Sequence, residues 1–319
     1  MKHLSFSLSI VLIFVLILLI SVITSEAQLR LPRASPPAGV WQTIGVTDVK
    51  ITYNRPAVKG RKIWGDPPPD AKGESTLDNQ NTRPAGMPIV PYGHIWRTGA
   101  NEATQFEVTD DVLVNGSPLP AGKYSLHTIP GRDEWTIVFN STANQWGSFN
   151  YDPAKDTLRI KAKPSTVAEN QEWLEFRIEP TSENAATVTI AWEKVRVPFT
   201  VEIKDVAAVT LAKARKAVED AARDDWQTPF NAANYAKQNK ADAEAAKWFA
   251  QALNAIDEQL KTKENFQNLS RKANILLAAG KRDEAIAVAE KAIAKGKADG
   301  ENVTQFEKRF TEIKSGRQP

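Results

Sequence analysis

Residues 187–192, TVTIAW, set Val188, Ile190 and Trp192 at every second position. That period puts the three on one face of an extended chain, so the segment reads as a strand with one dry face and one wet face. The same device recurs upstream. VKITY alternates Val49, Ile51 and Tyr53, and EWTIVF aligns Trp135, Ile137 and Phe139. TLRIKA turns Leu158 and Ile160 inward, as LEFRIE does Leu174, Phe176 and Ile178. Half-buried strands of this kind pair antiparallel. Asn115-Gly116, Ala121-Gly122, Pro130-Gly131 and Asp152-Pro153 supply turn chemistry between them. The expectation is an antiparallel β-sandwich, jelly-roll-like, over residues 36–204, with about nine or ten strands.

Past Asp205 the pattern changes. Pro and Gly become scarce while Ala, Lys, Glu and Gln dominate, which is helix composition. Ala245, Phe249 and Ala252 recur as Ala285, Ala289 and Ala292 at an offset of forty residues, and Ala233 and Ala236 correspond to Ala273 and Leu276. Small residues at that spacing let antiparallel helices approach closely and stack in pairs. With Gly280 at a turn, residues 205–319 resemble tetratricopeptide repeats, although that repeat is nearer about thirty-four residues. An ordinary Ala-rich helical bundle is the alternative.

The N-terminus reads as an export signal. Lys2 and His3 precede an apolar run from Leu8 to Ile23, and Ser25-Glu26-Ala27 fits the small-residue rule for cleavage after Ala27. Residues 1–27 are therefore expected to be removed, leaving no membrane span, and the chain to be periplasmic or extracellular; retention as an anchor is the alternative. No cysteine occurs, which excludes disulfides, thiolate metal sites and a cysteine nucleophile. A chain of this length buries enough core to do without staples. The balance of 41 basic against 38 acidic residues is too even to point to nucleic acid or an anionic membrane surface. Between Gly65 and Ile89, DPPPDAKGESTLDNQNTRPAGMP is polar and Pro-rich, and is expected to be a long exposed loop, 66–88, without structure of its own.

Four stretches carry a family resemblance: YNRPAVKGRKIWG (53–65), VPYGHIWRTGANEAT (90–104), LPAGKYSLHTIPG (119–131) and EWTIVFN with the later WG (134–147). Over about residues 36–204 they resemble the bacterial family called domain of unknown function 2911. The resemblance implies an exported, β-rich module, often with a C-terminal helical extension, and brings no known activity. In the family the RPxxKGR segment runs almost directly into PYG; here the 66–88 loop intervenes.

Within PYGHIWRTGANEAT, His94, Arg97, Asn101 and Glu102 crowd a strand end beside Trp96. Arginine at such a turn can stack on the indole and offer its fork to a carboxylate or phosphate. The resemblance adds Arg55, Lys59 and Arg61. Together these residues are the candidate ligand-binding set, suited to a small anionic ligand such as a carboxylated sugar or a peptide terminus, or to a glycan. The competing reading is a corner lock, in which Arg97 and Glu102 form a bidentate ion pair and Asn101 takes the left-handed conformation. Catalytic signatures are weak. No G-x-S-x-G elbow occurs, Ser125 sits in an apolar strand, and nothing singles out Glu102 with Asp110 or Asp111 as a carboxylate pair. His94, His127 and Glu102 lack ligand spacing, so no metal and no cofactor are expected. Most of the tryptophans, Trp135 and Trp192 first, read as core rather than as sugar platforms.

The chain is therefore expected to be an exported binding or accessory protein of the cell envelope, its helical part available to a protein partner. An extracytoplasmic hydrolase acting on a carbohydrate or other anionic substrate is the alternative.

Overall fold

The computed structural model describes residues 31–78 and 86–316. The expected export signal, 1–27, lies outside the described residues. The described residues from Pro37 onward form one compact unit. Among the described residues twelve strands come first: β1 (Pro37–Ile44), β2 (Thr47–Asn54), β3 (Trp64–Gly65), β4 (Val90–Pro91), β5 (Thr104–Val108), β6 (Val112–Val114), β7 (Ser117–Leu119), β8 (Gly122–Ile129), β9 (Trp135–Asn140), β10 (Asp156–Ala162), β11 (Ser165–Pro180) and β12 (Ala185–Glu202). Six helices follow: α1 (Val206–Asp220), α2 (Gln227–Gln238), α3 (Asp242–Thr262), α4 (Phe266–Ala278), α5 (Arg282–Ala298) and α6 (Thr304–Lys314).

The strands form a six-stranded sheet in the order β1-β2-β5-β8-β9-β10 and a four-stranded sheet in the order β11-β12-β6-β7. Every pairing in both is antiparallel; the short β3–β4 pair is parallel. The period-two residues named above meet between the sheets, and Phe106, Ile137, Phe139, Leu174, Ile190 and Trp192 are among the side chains wholly removed from solvent. At one end of this core Trp64, Trp96, Trp135 and Trp192 cluster, with ring centroids 5.1 to 6.5 Å apart. The Nε1–H groups of Trp64 and Trp192 have no hydrogen-bond acceptor. Their rings cross at 84° and 5.6 Å, an edge-to-face arrangement that sets a positive edge against a π face and offsets part of that loss.

Helix α1 is capped by Asp205, whose carboxylate accepts from Ala208 N at 2.9 Å. Its first residue meets the β1–β2 turn at Gly45, which has φ +58°; a Cβ there would lie 2.7 Å from Val206 Cγ1. Two turns further, Lys213 pairs with Asp110 at 2.7 Å. Burial disfavours the Asp110 charge, but hydrogen bonds from Lys213, Thr47 and Thr109 outweigh it and hold the pKa below the usual carboxylate value.

The forty-residue offset has a backbone counterpart. Helices α2 and α4 both end in a left-handed residue, Lys240 at φ +60° and Gly280 at φ +80°. Ala241 N donates to Ala236 O, and Lys281 N to Leu276 O, each at 2.9 Å. These are paired Schellman endings, and each turns the chain into the next helix of an antiparallel hairpin. The residues matched by the offset, Ala233 with Ala273 and Ala252 with Ala292, are fully buried.

Candidate functional site

The outer face of the six-stranded sheet is not bare. Ser125 and His127 alternate with Tyr124 and Leu126 along β8, so they face away from the main core. Segment 141–151 covers them, and both are fully buried. His127 Nε2 lies 3.1 Å from Ser125 Oγ and its Nδ1 lies 3.1 Å from Ser148 Oγ. Gln145 Nε2 lies 3.0 Å from Ser125 Oγ, 3.2 Å from His127 Nε2 and 3.1 Å from Thr142 O. A backbone carbonyl only accepts, so the amide nitrogen must face this cluster. His127 Nε2 is then the acceptor and Nδ1–H donates to Ser148. The imidazole is neutral, because burial pushes its pKa from 6.5 down to about 4 against a smaller opposing pull from Asp156.

Past Leu126, where the pairing with β5 stops at its first residue, Thr104, the freed edge of β8 is taken by Trp96, with Trp96 N to Thr128 O at 2.8 Å and the return bond at 2.9 Å. The chain from Trp96 back to β5 must therefore turn tightly. Thr98 and Asn101 both adopt positive φ, +53° and +56°. For a β-branched threonine this conformation costs on the order of 1–3 kcal/mol. Hydrogen bonds hold it: Thr98 Oγ lies 3.1 Å from Thr128 Oγ, and Thr104 Oγ–H donates to Thr98 O at 2.8 Å.

Arg97 is buried, and its ion-pair partner is not Glu102. Its Nη1 lies 3.6 Å from Asp78 Oδ2, a carboxylate that also accepts from Ser148 N at 3.0 Å. Glu102 instead accepts from Asn54 Nδ2 at 3.0 Å. The expected Arg97–Glu102 lock is thus replaced by Arg97–Asp78, because the guanidinium turns inward under segment 145–149 while Glu102 faces β2. The 66–88 loop also departs from expectation. Its residues 74–78 are built into the site: Glu74 O accepts from Ile95 N, Ser75 O lies 2.9 Å from His94 Nδ1, and Asp78 is buried. Residues 79–85 lie outside the described residues.

Segment 145–149 is bound to 101–103 by backbone. Ala103 N donates to Gln145 O at 3.0 Å, Gly147 N donates to Asn101 O at 2.9 Å, and Glu102 bridges Trp146. On the solvent side Trp146 and Phe149 are 55% and 48% exposed. A Cβ on Gly147, whose φ is +63°, would lie 2.8 Å from the Phe149 ring and 3.1 Å from Arg97 Nη1, so ring, backbone and guanidinium are stacked closely. Beside His127, Tyr151 donates to Asp156 at 2.6 Å, and burial together with that bond raises the phenol pKa.

Arg97, Asn101 and Glu102 thus share one corner, and His94 is tied to it through Ser75. Arg55, Lys59 and Arg61 make their contacts elsewhere. Arg55 Nε donates to Leu174 O, Lys59 N donates to Glu172, and Arg61 donates to the carbonyls of Val58 and Ala57. Among the described residues, no three His, Cys, Asp or Glu side chains come together as a metal site would need, and no helix is long and apolar enough to cross a membrane. Sequence reasoning missed Asp78, Gln145, Ser148 and Phe149. An available signal was that residues 140–151, NSTANQWGSFNY, carry no charge at all.

The corner thus sets strained polar residues, Thr98 and Asn101, beneath two exposed aromatic rings, Trp146 and Phe149. A family model described as "Protein of unknown function (DUF2911)" matches residues 35–201, more than half of the chain, and the protein belongs to that family. No curated protein matches the chain, and no solved structure does.

Proposed function

We propose that the protein is an exported binding or accessory protein of the cell envelope, whose ligand surface is the corner made by residues 97–103 and 144–149. The observation that carries this reading is the exposure of Trp146 and Phe149 directly above a fully buried hydrogen-bonded base. A preorganised platform of that kind binds without the ordering cost that a flexible loop would add. Two further features favour a ligand surface over a purely structural lock. Thr98 holds a strained backbone, and the side-chain amide oxygens Asn54 Oδ1 and Gln145 Oε1 are buried without a partner. Backbone strain clusters at functional sites, and a buried polar atom without a partner calls for an explanation. Hydrolysis by His94, Arg97 and Glu102 is less well supported, because His94 and Arg97 are buried and engaged by Ser75 O and Asp78. The apolar run before Ala27 supports export.

The helical part acts as a tetratricopeptide-like protein-interaction element. Its repeated hairpins support this, as does a 410 Å³ cleft lined by Arg223, Asp225, Pro229, Gln251, Asn254 and Glu258.

The test is a thermal-shift screen of the protein recovered from an exporting host, using oligosaccharides, sugar acids and short peptides. One class should raise the melting temperature in the wild type and fail to do so in Trp146→Ala. Turnover of a screened compound that is abolished in Glu102→Gln, with folding intact, would replace binding by hydrolysis.

A further inference from the structure

Among the described residues the exposed large hydrophobic side chains are Leu31, Trp41, Trp146 and Phe149, so two of four fall within one four-residue turn. The surroundings of that turn define what it suits. From Asn140 to Tyr151 the chain has no charged residue; it consists of amides, hydroxyls, small residues and three aromatics. Asn144 and Asn150 are exposed on either side of the two rings. Asn144 Oδ1 accepts from Gln105 Nε2 at 2.7 Å, which fixes the amide and leaves its N–H donors on the opposite edge. The charged groups that touch this segment pair off: Arg97 with Asp78, and Arg159, which donates to Tyr151, with Asp156, which accepts from Asn140 and Tyr151.

We propose that this surface binds a neutral polysaccharide chain, an assignment that rests on the binding reading above and names its ligand class. A pyranose ring presents C–H groups on one face and hydroxyls around its rim. The C–H face packs on the negative π face of an aromatic ring, and the hydroxyls exchange hydrogen bonds with amides. An anionic ligand would seek an accessible cation, and within 140–151 there is none. A protein partner of this size would call for a wider apolar centre and a charged rim to steer it, and an uncharged rim around two rings supplies neither. Rigidity completes the fit. Trp146 is held through its backbone bridge to Glu102, and Ser148 is anchored to Asp78 and His127.

The experiment is native affinity electrophoresis of the intact chain in gels containing hydroxyethylcellulose, galactomannan or mixed-linkage β-glucan, with polygalacturonate as the anionic counterpart. At least one neutral polymer should retard the wild type. Trp146→Ala should weaken that retardation about fivefold or more, and Trp146→Phe should keep a measurable part of it. Phe149→Ala should weaken it less. Melting temperatures should stay close to wild type, since the rings are exposed. Unchanged retardation in the Trp146→Ala/Phe149→Ala double variant, or retardation by polygalacturonate alone, overturns the proposal. Absence of retardation by all three neutral polymers overturns it too. The thermal-shift screen separates the two readings. A Trp146-dependent shift with sugar acids or peptides, without neutral-polymer binding, removes only the glycan assignment; no response in either assay removes both.

Discussion

The sandwich core is dominated by indoles and phenyl rings, whereas the helical hairpins bury many alanines around a few large side chains such as Trp248, Phe249, Ile256 and Ile275. Between the sheets Trp135, Trp192, Phe106 and Phe139 are wholly enclosed, while in the hairpins the fully buried residues include Ala233, Ala252, Ala273 and Ala292. Large rings let a few residues from distant strands fill a thick interlayer space, so most of the cohesion is long-range. Small residues let backbones approach, so cohesion comes from many modest contacts between neighbours in sequence. The two regions should therefore respond differently to substitution. The sandwich is vulnerable to deletion and the hairpins to enlargement.

Trp192→Ala is the most severe test. It should cost about 3–5 kcal/mol and abolish the near-ultraviolet signal of the sandwich well before the helical far-ultraviolet signal is lost. Simultaneous loss of both in a urea titration would break the comparison and make the chain a single folding unit. Acid should act on the sandwich next. His127 has a folded pKa of about 4 against an ordinary 6.5, so the unfolded chain takes up its proton first as pH falls. Stability is full above pH 6.5 and declines towards pH 4, by roughly 3 kcal/mol for this group. In His127→Gln that part of the slope should vanish, as read from denaturant midpoints at pH 7 and pH 4.5.

Ala252→Leu probes the hairpins. Overpacking between helices should cost about 1–3 kcal/mol and lower the helical melt while the sandwich signal holds. The smallest effect should come from Lys213→Ala, which removes a largely solvent-screened pair to Asp110 at the meeting of α1 and the sandwich. A loss under about 1 kcal/mol, shrinking further in high salt, is expected from calorimetry.

Much of this architecture was legible in the chain. Period-two runs such as TVTIAW and EWTIVF placed the inward residues of β9 and β12, because alternation has one physical meaning when a face is buried. The forty-residue offset marked the hairpins, although nothing in it announced that Lys240 would adopt the left-handed turn that Gly280 adopts freely. The corner was legible only as a location. Which carboxylate Arg97 meets depends on Asp78, nineteen residues upstream in a loop whose composition suggested no structure. That choice is set by how the loop returns across β8, a long-range property with no local signature. The burial of His127 likewise depends on segment 141–151 folding back over a sheet face that pattern alone left open.

The tryptophan cluster has an optical consequence. Four indoles within 6.5 Å of a neighbour exchange excitation faster than they emit, so they behave as one coupled chromophore in a dry environment. Two of the nine tryptophans, Trp41 and Trp146, are more than half exposed, and their emission lies further to the red. Emission collected on the long-wavelength side therefore favours the wet indoles over the buried set. A Trp41→Phe chain would then report on Trp146 without any added dye, giving the corner a native lamp whose colour changes when its ring is covered.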